Sequence, residues 1–130
     1  MPVIEGTARL KTAQAEYDFA VDGGAVSTIT LRSVDGHGST IPAGSVITGG
    51  YIDVETACAS ATGTIAVNTE AAGDIVAAVG QASWTTGRKS VVPAGTGATS
   101  VKTTVARSIA ITIATAVFTA GKFRVVVFYK

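Results

Sequence analysis

The sequence predicts an all-β domain, an antiparallel β-sandwich or barrel of about eight short strands with one short helical turn. Three observations predict it. Apolar residues recur with period two in short runs, the pattern of half-buried strands. Glycine and proline interrupt those runs, with 15 Gly and 3 Pro in 130 residues, and no long helical pattern appears between them. The last run, Phe123-Arg-Val-Val-Val-Phe-Tyr129, is almost wholly apolar. Such a strand needs cover on both faces, and at an exposed edge it would invite aggregation. It is therefore expected at the centre of a sheet.

The elements follow in order. Residues 1–13 show little periodicity and read as an extended N-terminal arm, leaving 14–130 as a single domain. From Ala15 to Val21 the chain alternates, with Ala15, Tyr17, Phe19 and Val21 on one face. Asp22-Gly23-Gly24 is a turn signal. Val26 to Arg32 reads as a second strand, and the Gly-rich stretch 34–40 as a loop. Ile41-Pro-Ala-Gly44 is a turn in which proline presets φ. Ser45 to Thr48 enters a strand that Gly49-Gly50 breaks or bulges, and Tyr51 to Thr56 alternates again.

Gly63 to Asn68 is a short strand. Asp74 to Val79 is the one plausible helical turn, with Asp74 as its cap and Gly80 as its stop. Trp84 falls in a loop-like stretch, and Pro93-Ala-Gly95 repeats the earlier turn chemistry. Ala98 to Ala106 is a Thr-rich strand candidate. The run from Ser108 and the run from Phe123 are read as a C-terminal hairpin closed around Thr119-Ala-Gly-Lys122.

Composition narrows the function. The chain is 47% hydrophobic and 15% charged, with a formal net charge of +1, so its makeup is not that of a disordered segment. Its basic residues are dispersed, with Arg88-Lys89 the longest basic run; nucleic-acid binding usually needs a dense basic face. The apolar stretch Ile109 to Gly121 is too short and too Thr-rich for a membrane span, and no secretion signal is expected from Met-Pro-Val-Ile-Glu-Gly. Cys58 is the single cysteine, so an intrachain disulfide is ruled out and the thiol reads as a small hydrophobe.

Candidate chemistry is sparse. His37, the sole histidine, sits between glycines in a loop with no placed nucleophile nearby, unlike a Ser-His-Asp arrangement. Asp53 and Glu55 share one strand face, as two carboxylates would for calcium binding or glycoside hydrolysis. They read more simply as the polar side of a strand. Gly95-Thr-Gly97 lacks the following helix that a phosphate loop needs. One His and one Cys with no paired spacing leave no metal site. No catalytic, metal or cofactor residue is therefore expected. Tyr51 and Trp84 are the candidates for an exposed aromatic binding surface.

Two stretches together carry a resemblance. Ile41-Pro-Ala-Gly-Ser-Val-Ile-Thr-Gly-Gly-Tyr-Ile-Asp-Val-Glu-Thr56 precedes Gly63-Thr-Ile-Ala-Val67 and Asp74-Ile-Val-Ala-Ala78, and the set ends in Phe118-Thr-Ala-Gly-Lys-Phe-Arg-Val-Val-Val-Phe-Tyr129. Over residues 15–130 this resembles the small β-sandwich proteins of tailed-bacteriophage virions, of the capsid decoration (cement) or head-fibre type. The resemblance implies a jelly-roll-like domain without catalytic residues, made in the bacterial cytoplasm. It implies a symmetric homo-oligomer, a trimer by preference, that binds the major capsid protein on the capsid surface and stabilises the shell. In that setting the arm would contact a neighbour or the shell through Val3, Ile4, Arg9 and Leu10. The competing reading is a fibre or receptor-binding module with Tyr51 and Trp84 exposed together. Neither reading involves nucleic acid, membrane or cofactor.

Overall fold

The computed structural model describes residues 11–33, 38–71, 73–90 and 101–130. The order of elements is β1 (Lys11–Asp18), α1 (Phe19–Asp22), β2 (Thr28–Thr30), β3 (Thr40–Ile41), β4 (Val46–Ser60) and β5 (Thr64–Asn68). Then come β6 (Val76–Gly80), a 3-10 turn (Gln81–Ser83), β7 (Gly87–Ser90), β8 (Val101–Lys102), β9 (Arg107–Ser108), β10 (Ala110–Ala114) and β11 (Phe118–Tyr129). All strand pairings are antiparallel. A five-stranded sheet runs β1-β11-β4-β7, with β8 also paired to β4; a four-stranded sheet runs β2-β10-β5-β6; β3 and β9 form a separate ribbon. The fold is an all-β sandwich, as the sequence predicts.

Period-two patterning explains the layers. In β11 the side chains of Phe123, Val125 and Val127 are fully buried. They sit in register with Tyr17, Ala15 and Ala13 of β1. Opposite them the four-stranded sheet contributes Ile65, Val67, Ile111 and Ile113 to the same core. Burying each large apolar side chain contributes about 1.5–3 kcal/mol relative to exposure. Aromatic rings fill the centre: Trp84 stacks on Phe123 at 4.8 Å between centroids, and Tyr17 lies 5.2 Å from the same ring. The last strand is central, as its apolar density requires, with β1 on one side and β4 on the other.

Four expectations need correction. The alternation from Ala15 stops at Asp18, because a helical turn takes over. Asp18 accepts from the Ala20 amide at 3.0 Å, Asp22 accepts from the Asp18 amide at 2.9 Å, and Gly23 ends the turn at φ +76°. The helical turn expected at Asp74 to Val79 is strand β6 instead. Asp74 accepts hydrogen bonds from the amides of Thr69, Glu70 and Ala71, so its carboxylate caps the preceding turn and not a following helix. The C-terminal runs are not a hairpin: β10 belongs to the four-stranded sheet and β11 to the five-stranded one. The chain changes sheets at Thr115, the one non-glycine residue with positive φ (+74°) among those described. Finally, Lys11, Thr12 and Ala13 belong to strand β1, inside the segment read as an arm.

Gly49-Gly50 does not break β4, which runs through both residues, but the register shifts beside Gly49, between Phe128 and Tyr129 of β11, as a bulge would shift it. Gly50 is needed there for a close approach, since a Cβ at its φ of +154° would overlap the Val126 carbonyl oxygen.

Candidate interaction surfaces

The outward faces of the two sheets differ in chemistry. Register places Glu16 beside Arg124, Arg124 beside Asp53, and Asp53 beside Arg88. Cross-strand partners share a face, so four strands present a row of alternating sign. Lys122 extends it, with its Nζ 3.8 Å from Glu16 and 3.5 Å from Glu55. The next row aligns Gln14, Val126 and Tyr51. The Arg88 guanidinium stacks 4.2 Å above the Tyr51 ring, and Phe128 lies 6.1 Å from it. Between these long side chains Val126 is only 2% exposed although it faces outward.

The outward face of the four-stranded sheet carries Thr28 and Thr30, Ala110, Thr112 and Ala114, Thr64, Ala66 and Asn68, and Ala78. None is charged and none is longer than asparagine. Asn68 donates to Thr112 Oγ1 at 2.7 Å and accepts from the Gly73 amide at 2.5 Å. Ala66, Ala77 and Ala78 line a shallow depression of about 300 Å3 between these polar groups.

A cavity of about 270 Å3 opens where the edges of the two sheets meet, lined by Ile52, Val76, Val79, Ser83, Trp84 and Lys89. Lys89 donates to Thr85 Oγ1 at 2.9 Å. Trp84 is 2% exposed, and its indole N–H finds no acceptor among the described residues.

The sequence-derived candidates separate accordingly. Trp84 is a core residue, so the expectation of a surface aromatic is corrected; stacking on Phe123 draws it inside. Tyr51 is half-exposed on the outer face of the other layer, so the two aromatics form no common platform. Asp53 and Glu55 are exposed on the charged face and sit against cations. They line neither cavity. Among the described residues, no group of three His, Cys, Asp or Glu is placed to hold a metal. Cys58 is buried, and burial pushes its thiol pKa up to about 12, which keeps it protonated and unreactive. Val3, Ile4, Arg9 and Leu10 lie outside the described residues, as do His37, Pro93-Ala94-Gly95 and Gly95-Thr96-Gly97.

One ionic clamp escaped the sequence reading. Arg107 grips Glu70 through two bonds, Nε at 2.9 Å and Nη2 at 3.1 Å, while Thr104 donates to the same carboxylate from its amide and its hydroxyl. The Arg107 hydrogen bonds, helped by Thr104, lower the Glu70 pKa to about 2. This clamp fixes the loop after β5 to the loop before β9. Its members are far apart in sequence, and no local pattern joins them.

No protein-family model matches the chain, and no curated protein matches it. Solved structures do. A chain of the capsid of Ralstonia phage GP4 superposes with a TM-score of 0.61 at 14% identity, covering 99% of this chain and 88% of that one. A chain of the acidic stable capsid of Helicobacter pylori bacteriophage KHP30 gives 0.60 at 14% identity, covering 92% and 86%. One from the cyanophage Pam1 capsid asymmetric unit gives 0.53 at 17% identity, covering 93% and 84%. These likenesses establish a shared fold over nearly the whole chain.

Proposed function

We propose that this protein is a non-enzymatic structural component of a phage virion, a capsid decoration or cement protein that binds the major capsid protein on the outer shell as a symmetric oligomer, a trimer by preference. One observation carries the reading: the similarity of fold to chains of three phage capsids, spanning 92–99% of this chain. The surface chemistry agrees with it. Among the described residues, the depression and the cavity are lined by no paired acid and base, and the exposed carboxylates Asp53 and Glu55 lie against cations on a sheet face. Such a surface serves packing against other proteins better than turnover. The N-terminal segment, with Val3, Ile4, Arg9 and Leu10, is assigned to subunit or shell contact, and the rest of the chain to the folded body. The fibre or carbohydrate-binding alternative loses support because Trp84 is inside the core.

Co-sedimentation with isolated phage capsids stripped of this protein, paired with light scattering of the free protein, tests the proposal. Saturable pelleting at a fixed ratio to the capsid protein, and a mass of three chains in solution, are expected. A monomer that stays in the supernatant at every capsid concentration overturns it.

A further inference from the structure

The four sheet edges are protected to different degrees. β1 is covered by the chain that follows β2: the Glu16 amide donates to the Arg32 carbonyl at 2.9 Å and the Gln14 amide to the Gly38 carbonyl at 3.0 Å. β7 carries Arg88 and Lys89, and charges on an edge discourage pairing with other chains. β2 has three residues. β6 is Val-Ala-Ala-Val-Gly, without charge or proline, and among the described residues it pairs only with β5. Ala77, Ala78 and Gly80 are exposed along it. Val76 and Val79 turn inward and form one wall of the 270 Å3 cavity shared with Ile52 and Trp84. A strand edge without a second partner among the described residues, with an apolar pocket behind it, has the two parts that strand addition uses: main-chain groups for affinity and a pocket for an alternate side chain.

We propose that β6 receives the N-terminal segment of a second copy of this chain as an added strand, with Ile4 seated in the cavity. The proposal rests on the assignment of that segment to subunit contact. Drawn out as a strand, its sequence, Met-Pro-Val-Ile-Glu-Gly-Thr-Ala-Arg-Leu, would place Ile4, Gly6, Ala8 and Leu10 on one side and Val3, Glu5, Thr7 and Arg9 on the other. The first side carries no charged or polar side chain, so it can face an apolar pocket. The ten residues before Lys11 can span up to about 33 Å when extended, roughly twice the length of a five-residue strand. The donor is a neighbour because the segment starts at β1, which sits with β2 at one side of the sandwich through the Glu16–Arg32 bridge. β6 and β7 close the opposite side around the cavity. A chain reaching its own β6 would spend much of its length crossing the sandwich.

Disulfide trapping between full-length variants tests this. Ile4→Cys and Val79→Cys, the second in the cavity wall, are made separately, mixed and mildly oxidised; native Cys58 is buried and does not compete. A crosslinked heteropair is expected in several-fold excess over the pair formed by Ile4→Cys with Val21→Cys, an exposed position on α1. Equal yields overturn the proposal. Ala78→Lys, with folding verified by Trp84 fluorescence, is expected to lower the mass seen by light scattering; an unchanged mass also overturns it. Capsid co-sedimentation in parallel separates the two levels. A native chain that pellets with shells while showing no trapping preference refutes strand addition alone. One that neither pellets nor self-associates refutes the virion reading as well.

Discussion

The two sheets of this sandwich bury similar cores but turn different faces outward. On the five-stranded sheet, acid and base alternate across strands from Glu16 to Arg88, and a stacked Arg88–Tyr51 pair with Phe128 shelters Val126. The four-stranded sheet shows only Thr, Ala and Asn, with a shallow depression and an uncharged edge strand. The difference teaches where each sheet is finished. The charged face answers its own electrostatics within one chain, so a partner gains little there. The small-residue sheet has no long side chains to displace and permits close backbone approach. In a protein read as part of a shell, that sheet and its β6 edge are the natural places for another chain.

The largest expected effect comes from breaking the sheltered part of the charged face. Val126→Asp places a carboxylate in a site 2% exposed, where an unpaired buried charge costs about 3 kcal/mol or more. The variant is expected to be largely unfolded by circular dichroism. A soluble, normally folded variant would show that Val126 is not covered. Arg88→Ala removes the stack on Tyr51 and is expected to lower stability by about 0.5–1 kcal/mol in urea titration, the range of an exposed cation–π pair. No loss would mean that the stack contributes nothing to finishing this face.

On the other sheet, Thr30→Lys at an exposed position is expected to change stability by less than about 0.5 kcal/mol. A larger loss in the same titration would show that the small-residue face is under packing constraint within the single chain. The smallest effect concerns the Glu70 clamp. Its pKa is lowered from 4.5 to about 2, so the folded state favours the ionised form. The contribution is full above pH 4.5 and fades as pH falls through 2. Glu70 is only partly buried, so solvent screens the pair and the effect is modest. Melting temperatures of native protein and Glu70→Gln are expected to differ near neutral pH and converge towards pH 2. Parallel curves over that range would contradict the clamp.

Much of the fold was legible because the informative strands are strongly patterned. Ala15 and Tyr17 alternate with polar neighbours, and Phe123 to Tyr129 could be covered only at a sheet centre; Ala13, buried in the same strand, fell in the segment read as an arm. What failed were statements about which sheet a strand joins. The β10 and β11 runs are adjacent in sequence and equally apolar, and nothing local announces that Thr115 carries the chain between layers. Asp74 and Gly80 have the residue types of a helix cap and stop, yet the Asp74 side chain turns back to the amides of residues 69–71. The surface was less legible still. Asp53 and Glu55 could be placed on one strand face, but their cationic neighbours depend on register. Trp84 sits among loop residues and is drawn inside by Phe123, a contact that local pattern does not encode.

Amide hydrogen exchange of the full-length protein, compared between dilute and assembled states, tests the central contrast most directly. The account predicts that assembly slows exchange at Val76–Gly80 while leaving the charged edge Gly87–Ser90 unchanged. Protection at Gly87–Ser90 with none at Val76–Gly80 would contradict it.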